Sequence, residues 1–262
     1  MAVCSMNFLS VSLTDIGISR SVNQDSICTK IILSDDKKAS FSIVCDGMGG
    51  LSEGETASLS VMNNFCQWAD NILPNLIKNG FDFDELKEQW ARIITKQNQY
   101  LLDYGAKKGI KLGTTLTALL IFDGRYYGVH VGDSRIYEIK DKVCQLTRDH
   151  TLVEQEIRKG NITKEQAKND PRKSVLLQCV GASVSIRPEF LSGKTLENTV
   201  YVLCSDGFTH VLSEEELYEN LNGTILLNEE IMRDRARYLI DLIKSRGEQD
   251  NISVVLVKLL NC

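Results

Sequence analysis

Three short apolar or β-branched runs open the chain, at 6–13, 26–33 and 40–45, and read as strands. Gly17 and the turn SDDKK separate them. The period then changes from strand to helix. Ala57, Val61, Phe65, Trp68 and Ile72 fall on one face of a helix over 54–72, with Pro74 just beyond it. Leu86, Trp90, Ile93, Ile94, Gln97 and Leu101 fall on one face of a second helix over 84–104, which Asp82 or Asp84 can cap. Strand runs return at 114–122, 126–132 and 134–139, and Asp123-Gly124 between the first two is a hairpin signal. Residues 149–170 are polar, suit short helices that end at Pro171, and read as an insertion resting on the domain. A strand at 199–204, a helix opened by the capping-box pair Ser213 and Glu216, a helix over about 228–245 and a strand at 252–260 complete the pattern. Strands come in consecutive runs, so the expected class is α+β, a layered domain, and not a doubly wound sheet.

Composition narrows this. No linker, repeat or low-complexity segment interrupts the 262 residues, so 1–262 reads as one domain, and 43% hydrophobic residues can build a sizeable core. A net charge of −5 argues against a nucleic-acid binder, which would normally be basic. No apolar run approaches the ~18 residues of a membrane span, and the N-terminus lacks a basic leader segment, so no membrane partner is expected. The eight cysteines, at 4, 28, 45, 66, 144, 179, 204 and 262, then sit in a cytoplasmic, reducing setting, as free thiols and not staples. Cys45 and Cys204 lie within apolar strand runs, and no CxxC pair suggests zinc.

The candidate chemistry is a set of aspartates at strand ends. SIVCDGMGG runs an apolar strand straight into Asp46, with the Gly47 carbonyl beside it. Carboxylate plus carbonyl is hard-oxygen ligation suited to Mg²⁺ or Mn²⁺. An Asp-Gly pair alone is as readily a tight turn. The pattern recurs, however: Asp206 follows the strand YVLC, Asp133 stands between two strand runs, Asp250 precedes the last strand and Asp25 opens an early one. Five carboxylates brought together are destabilising unless cations fill the gap or protons bind. Other chemistries find no motif: neither GxxxxGK[ST] nor GxSxG occurs. His130, His150 and His210 lack metal-ligand spacing; His130 reads as structural, the other two as solvated or locally hydrogen-bonded.

The segments RSVNQD, VCDGMGG, LGTTLTALL, HVGDSRIY, LTRDHTLV, CSDGF and QDNISVV occur in that order over about residues 7–260. Together they resemble the bacterial branch of the metal-dependent protein phosphatase family, type 2C. The resemblance implies a central sandwich of two antiparallel β-sheets flanked by helices on both outer faces, a four-layer αββα fold. It implies a serine/threonine protein phosphatase in which water activated between two divalent ions, Mn²⁺ or Mg²⁺, attacks phosphorus without a covalent intermediate. By matching positions, Asp46 bridges the two ions, Asp206 and Asp250 complete one set of ligands, and the Gly47 carbonyl contacts the other ion. Asp133 with Asp206 serves a third ion, Asp25 orients the water, and Arg20 binds the substrate phosphate. The stretch 149–180 matches a mobile flap. The implied partners are phosphorylated proteins and a serine/threonine kinase. The charge and the lack of a coiled-coil heptad point to a monomer. Two positions depart from common family patterns. Met48 stands where some members carry a candidate acid, histidine, and Gln24 where many carry a carboxylate. The competing expectation is a non-catalytic sensor or docking module that kept the fold; the fully occupied aspartate set argues for activity.

Overall fold

The computed structural model describes residues 6–49 and 53–260. Cys4, Gly50 and Cys262 lie outside the described residues. In chain order the elements are β1 (Asn7–Asp15), β2 (Asp25–Ser34), β3 (Lys37–Gly49), α1 (Glu53–Asn71), α2 (Leu73–Asn79), α3 (Phe83–Lys108), β4 (Leu112–Thr114), β5 (Leu116–Phe122), β6 (Arg125–Val131), β7 (Arg135–Ile139), β8 (Val143–Gln145), α4 (Leu152–Arg158), α5 (Lys164–Lys168), β9 (Glu189–Lys194), β10 (Val200–Cys204), α6 (Asp206–Thr209), α7 (Glu214–Leu221), α8 (Glu229–Ser245) and β11 (Ile252–Leu260).

Two antiparallel sheets form. One has the order β1-β11-β10-β7-β8, the other β2-β3-β5-β6-β9 with β4 paired to the far end of β3. Alternation along each strand builds three apolar layers. On β3 and β5, Phe41, Ile43, Cys45, Leu116, Ala118 and Leu120 meet Val61, Phe65 and Trp68 of α1 and Leu86, Trp90 and Ile94 of α3. On β10 and β11, Val200, Val202, Ile252, Val254 and Leu256 meet Leu217 and Leu221 of α7 and Met232, Leu239 and Ile243 of α8. The intervening positions, Val44, Leu119, Ile121, Tyr201, Leu203, Val255 and Val257, close the space between the sheets. The result is helix, sheet, sheet, helix, as the resemblance implied.

Local signals explain most element ends. Asp123 and Gly124 both take positive φ, 48° and 69°, the left-handed pair that a two-residue hairpin needs between β5 and β6. Asp82, not Asp84, caps α3, accepting the Glu85 N–H at 2.8 Å. Ser213 and Glu216 form the expected capping box. Pro74 does not stop helical structure. It sits in the first turn of α2, where its missing N–H costs nothing, and α2 buries Leu73, Leu76 and Ile77. The run 114–122 divides at Thr115, whose side chain turns to the backbone of Asp46. β8 and β9 were not expected: each is an edge strand, and only their neighbours β7 and β6 define them. In the polar insertion, Thr151 caps α4 and a Thr163–Gln166 capping box opens α5. Bridge Thr151↔Leu176 closes the 149–180 stretch on itself, and Thr114↔Val180 ties its end to β4. No helix among the described residues is long and apolar enough to cross a membrane.

Candidate metal centre

The aspartates at strand ends come together at one edge of the sandwich. The β2–β3 register sets Asp25 directly opposite Asp46. Asp206 is the first residue of α6, just past β10, and Asp250 precedes β11, the neighbour of β10. Asp133 lies in the turn from β6 to β7.

The chain holds these positions by backbone contacts. The Asp46 N–H donates to Thr115 Oγ1 at 2.8 Å, and its carbonyl accepts from the Thr115 N–H at 2.8 Å and the Thr114 hydroxyl at 3.0 Å. Thr115 Oγ1 is 2.7 Å from Ser134 Oγ, which joins this strand end to the Asp133 turn. Gly47 donates its N–H to the Gln24 carbonyl at 3.1 Å. A Cβ on Gly47 would stand 2.1 Å from the Gly54 carbonyl oxygen, so no other residue fits between β3 and the first turn of α1. Gly17, at φ +77°, solves the same problem on the other side: a Cβ there would lie 2.2 Å from the Asp250 carbonyl. Asn251 ties the two loops, accepting the Gln24 N–H at 2.9 Å and donating to the carbonyls of Ile16 and Val22.

The side chains divide into held and bare oxygens. Asp25 Oδ2 accepts the Ser205 hydroxyl at 2.9 Å, while Asp25 Oδ1 is buried with no partner among the described residues. Asp206 Oδ2 lies 3.2 Å from His210 Nε2, while Asp206 Oδ1 is buried and bare. Asp250 receives the Arg20 guanidinium on both oxygens, at 3.0 and 2.8 Å, and Arg20 itself stays about half exposed. Among the described residues, no three carboxylate, histidine or cysteine side chains close around one point. Asp206 and Asp250 turn instead to cationic partners.

The electrostatics follow from burial and like charge. Burial, with Asp25, Asp206, Asp133 and Asp250 adding repulsion, drives Asp46 well above the usual carboxylate range. Burial and then Asp206 push Asp133 up to about 7. Burial also raises Asp25 to about 7. Burial would raise Asp206 too, but the His210 hydrogen bond and charge outweigh it and hold Asp206 low. His210 is correspondingly raised to about 9, because Asp206 and Glu248 outweigh its desolvation. A buried cluster of carboxylates with two bare oxygens suits hard divalent cations, and its donors are all oxygen.

Every predicted aspartate is thus in the cluster, Gly47 lies beside it, and Arg20 stands at its rim. Five partners carried no signal strong enough to single them out in the sequence: Ser205, Thr115, Asn251, His210 and Glu248. Of these only His210 had a local clue, its i,i+4 spacing from Asp206. His130, read as structural, is fully buried, with Nδ1 2.9 Å from Thr117 Oγ1 and Nε2 3.0 Å from the Arg148 carbonyl. His150 is locally bonded, its Nδ1 accepting from the Gly132 N–H at 3.1 Å.

A family model described as Protein phosphatase 2C matches residues 18–244. The chain belongs to this family. The protein phosphatase PhpP of Streptococcus pneumoniae is 32% identical over 251 residues, covering 94% of this chain and 96% of that protein. The serine/threonine phosphatase of S. agalactiae superposes with a TM-score of 0.81 at 31% identity, over 97% of this chain and 100% of that one. The catalytic domain of the serine/threonine protein phosphatase PstP, solved with two manganese ions, superposes with a TM-score of 0.80 at 26% identity, over 98% of this chain and 100% of that domain. Both solved phosphatases share the two-sheet fold described above.

Proposed function

We propose that this chain is a serine/threonine protein phosphatase that hydrolyses phosphoserine and phosphothreonine with the help of Mn²⁺ or Mg²⁺. The observation that carries this reading is the convergence of Asp25, Asp46, Asp133, Asp206 and Asp250, with buried, unpartnered oxygens on Asp25 and Asp206. Asp46, the Gly47 carbonyl, Asp206 and Asp250 are the groups that would hold two ions, and Asp133 with Asp206 would serve a third. When bound, such ions lower the pKa of water and neutralise charge on a phosphoryl group.

The chain's own residues do the rest. Asp25, steadied by Ser205, accepts a hydrogen bond from the attacking water and orients it. Arg20 exchanges the Asp250 carboxylate for two phosphoryl oxygens, which its planar fork matches equally well. Its half-exposed position lets a substrate reach it from solvent. Met48 cannot donate a proton, so the departing serine or threonine oxygen is protonated by water. The reading implies phosphorylated proteins and a serine/threonine kinase as partners of a monomeric, cytoplasmic enzyme, with 149–180 acting as a flap beside the site.

The test is hydrolysis of p-nitrophenyl phosphate and of a phosphothreonine peptide with Mn²⁺, with Mg²⁺ and with EDTA. Both substrates should turn over with metal and neither with EDTA, and Asp46→Asn should lose roughly 10³-fold, as when a preorganised charge-stabilising group is removed. A folded protein with no metal-dependent turnover of either substrate would overturn the reading in favour of a non-catalytic sensor.

A further inference from the structure

Two residues outside the predicted ligand set join two of its carboxylates. His210 lies one helical turn after Asp206, and its backbone N–H donates to the Asp206 carbonyl at 3.0 Å. Its ring spans a gap: Nε2 is 3.2 Å from Asp206 Oδ2, and Nδ1 is 3.1 Å from Glu248 Oε2. Glu248 is itself fixed. Its other oxygen accepts the backbone N–H groups of Gln249 at 2.8 Å and Asp250 at 3.0 Å. Asp206 carboxylate, His210 ring, Glu248 carboxylate and Asp250 backbone therefore form one continuous chain of polar contacts. The side chains of His210 and Glu248 are 31% and 11% exposed, so neither is a freely solvated surface charge.

An imidazole held at one nitrogen by a carboxylate has its ring orientation set, and its other nitrogen can then steady a ligand group. That is the division seen on Asp206. One oxygen is held by His210, and the other is buried and bare. The contact fixes the carboxylate without consuming the oxygen that remains for a cation. At the other end, Glu248 fixes the backbone of Asp250, whose side chain accepts the Asn251 N–H and the half-exposed Arg20 guanidinium.

We infer that Glu248 and His210 are positioning residues, a strap that sets Asp206 and Asp250 relative to one another so that both can engage one divalent cation. The inference rests on the metal-centre reading above, and neither residue touches the reacting atoms. Without the strap, Asp206 must be ordered at the expense of binding, and the turn before β11 loses the contact that couples it to α6.

The test is Mn²⁺ uptake by the full chain, followed by the electron paramagnetic resonance signal of free Mn²⁺, with metal-free thermal unfolding recorded alongside. The proteins are wild type, His210→Ala, His210→Gln, Glu248→Ala and the His210→Ala/Glu248→Ala double variant. Each alanine variant should bind Mn²⁺ about tenfold more weakly, the lower end of the loss seen when a ligand's supporting partner is removed. The double variant should lose little more than either single one, because both cut the same chain. His210→Gln, whose amide can still donate to Asp206, should keep most of the affinity. Unchanged affinity in both single variants, fully additive losses, or losses that merely track a fall in metal-free melting temperature would overturn the strap. A wild type that takes up no Mn²⁺ would overturn it together with the metal centre. A wild type that binds Mn²⁺, loses it in the variants and yet cleaves no phosphopeptide would leave the strap standing and sink only the phosphatase reading.

Discussion

The interior and the ends of the same strands obey opposite rules. Within β3, residues Phe41 to Cys45 are completely or almost completely buried; one position later the chain places Asp46. β10 runs Val200 to Cys204 in full burial and then reaches Asp206 by way of Ser205. In the interior each large apolar side chain gains about 1.5–3 kcal/mol from losing water. At the ends, the same burial works against charged groups that also repel one another. The difference teaches how the site is paid for: apolar layers at mid-strand hold together carboxylates that would not assemble unaided.

That contrast can be broken at either place. The largest effect belongs to the interior. Leu203 is fully buried between the sheets, and Leu203→Ala should cost about 2–5 kcal/mol of unfolding free energy, measured by urea denaturation. A loss below 1 kcal/mol would mean that the inter-sheet layer is not what holds the ends together.

A second test asks how far low-dielectric conditions extend toward the site. Burial, then the nearby His150 ring at 4.8 Å, pulls His130 down from 6.5 to about 3. The native histidine stays neutral while the unfolded one takes up a proton. Its contribution is therefore fully present above pH 6.5 and is lost as pH falls toward 3. Wild type should lose stability relative to His130→Asn with a limiting slope of about 1.4 kcal/mol per pH unit in that window. Parallel stability profiles for the two proteins would show that His130 titrates normally.

The smallest effect has the opposite sign. In EDTA, Asp46→Asn removes the cost of keeping a buried carboxyl beside Asp25, Asp206, Asp133 and Asp250, and it should raise the melting temperature, measured by thermal unfolding. With Mn²⁺ present the order should reverse. A destabilised Asp46→Asn in EDTA would place the strand ends under the same rule as the interior.

The sequence made the layers legible because period 2 and period 3.6 are local signals, and the site aspartates legible because each abuts a strand. Asp123-Gly124 and Ser213–Glu216 carry their geometry in neighbouring residues. What was not legible depends on distance. β9 shows no alternation of its own and exists because β6 offers an edge. In the sequence Pro74 marks the end of α1 but not the start of α2, because a proline past one helix can equally begin another. Ser205 matters only because folding brings it to Asp25, and Glu248 only because it meets His210; neither has a spacing to reveal it.

The place of β11 in its sheet has a consequence in time. It lies between β1 and β10, although it is last in sequence order and β1 is first. During synthesis, the sheet carrying Asp206 has a missing middle until residues 252–260 leave the ribosome, and Asp250 emerges only just before them. The other sheet, with Asp25 and Asp46, can close much earlier. A growing chain thus acquires Asp25 and Asp46 long before Asp206 and Asp250 can take their places. Activity should appear only once residues 252–260 are available and not rise gradually with length, which spares the cell a partly built hydrolase.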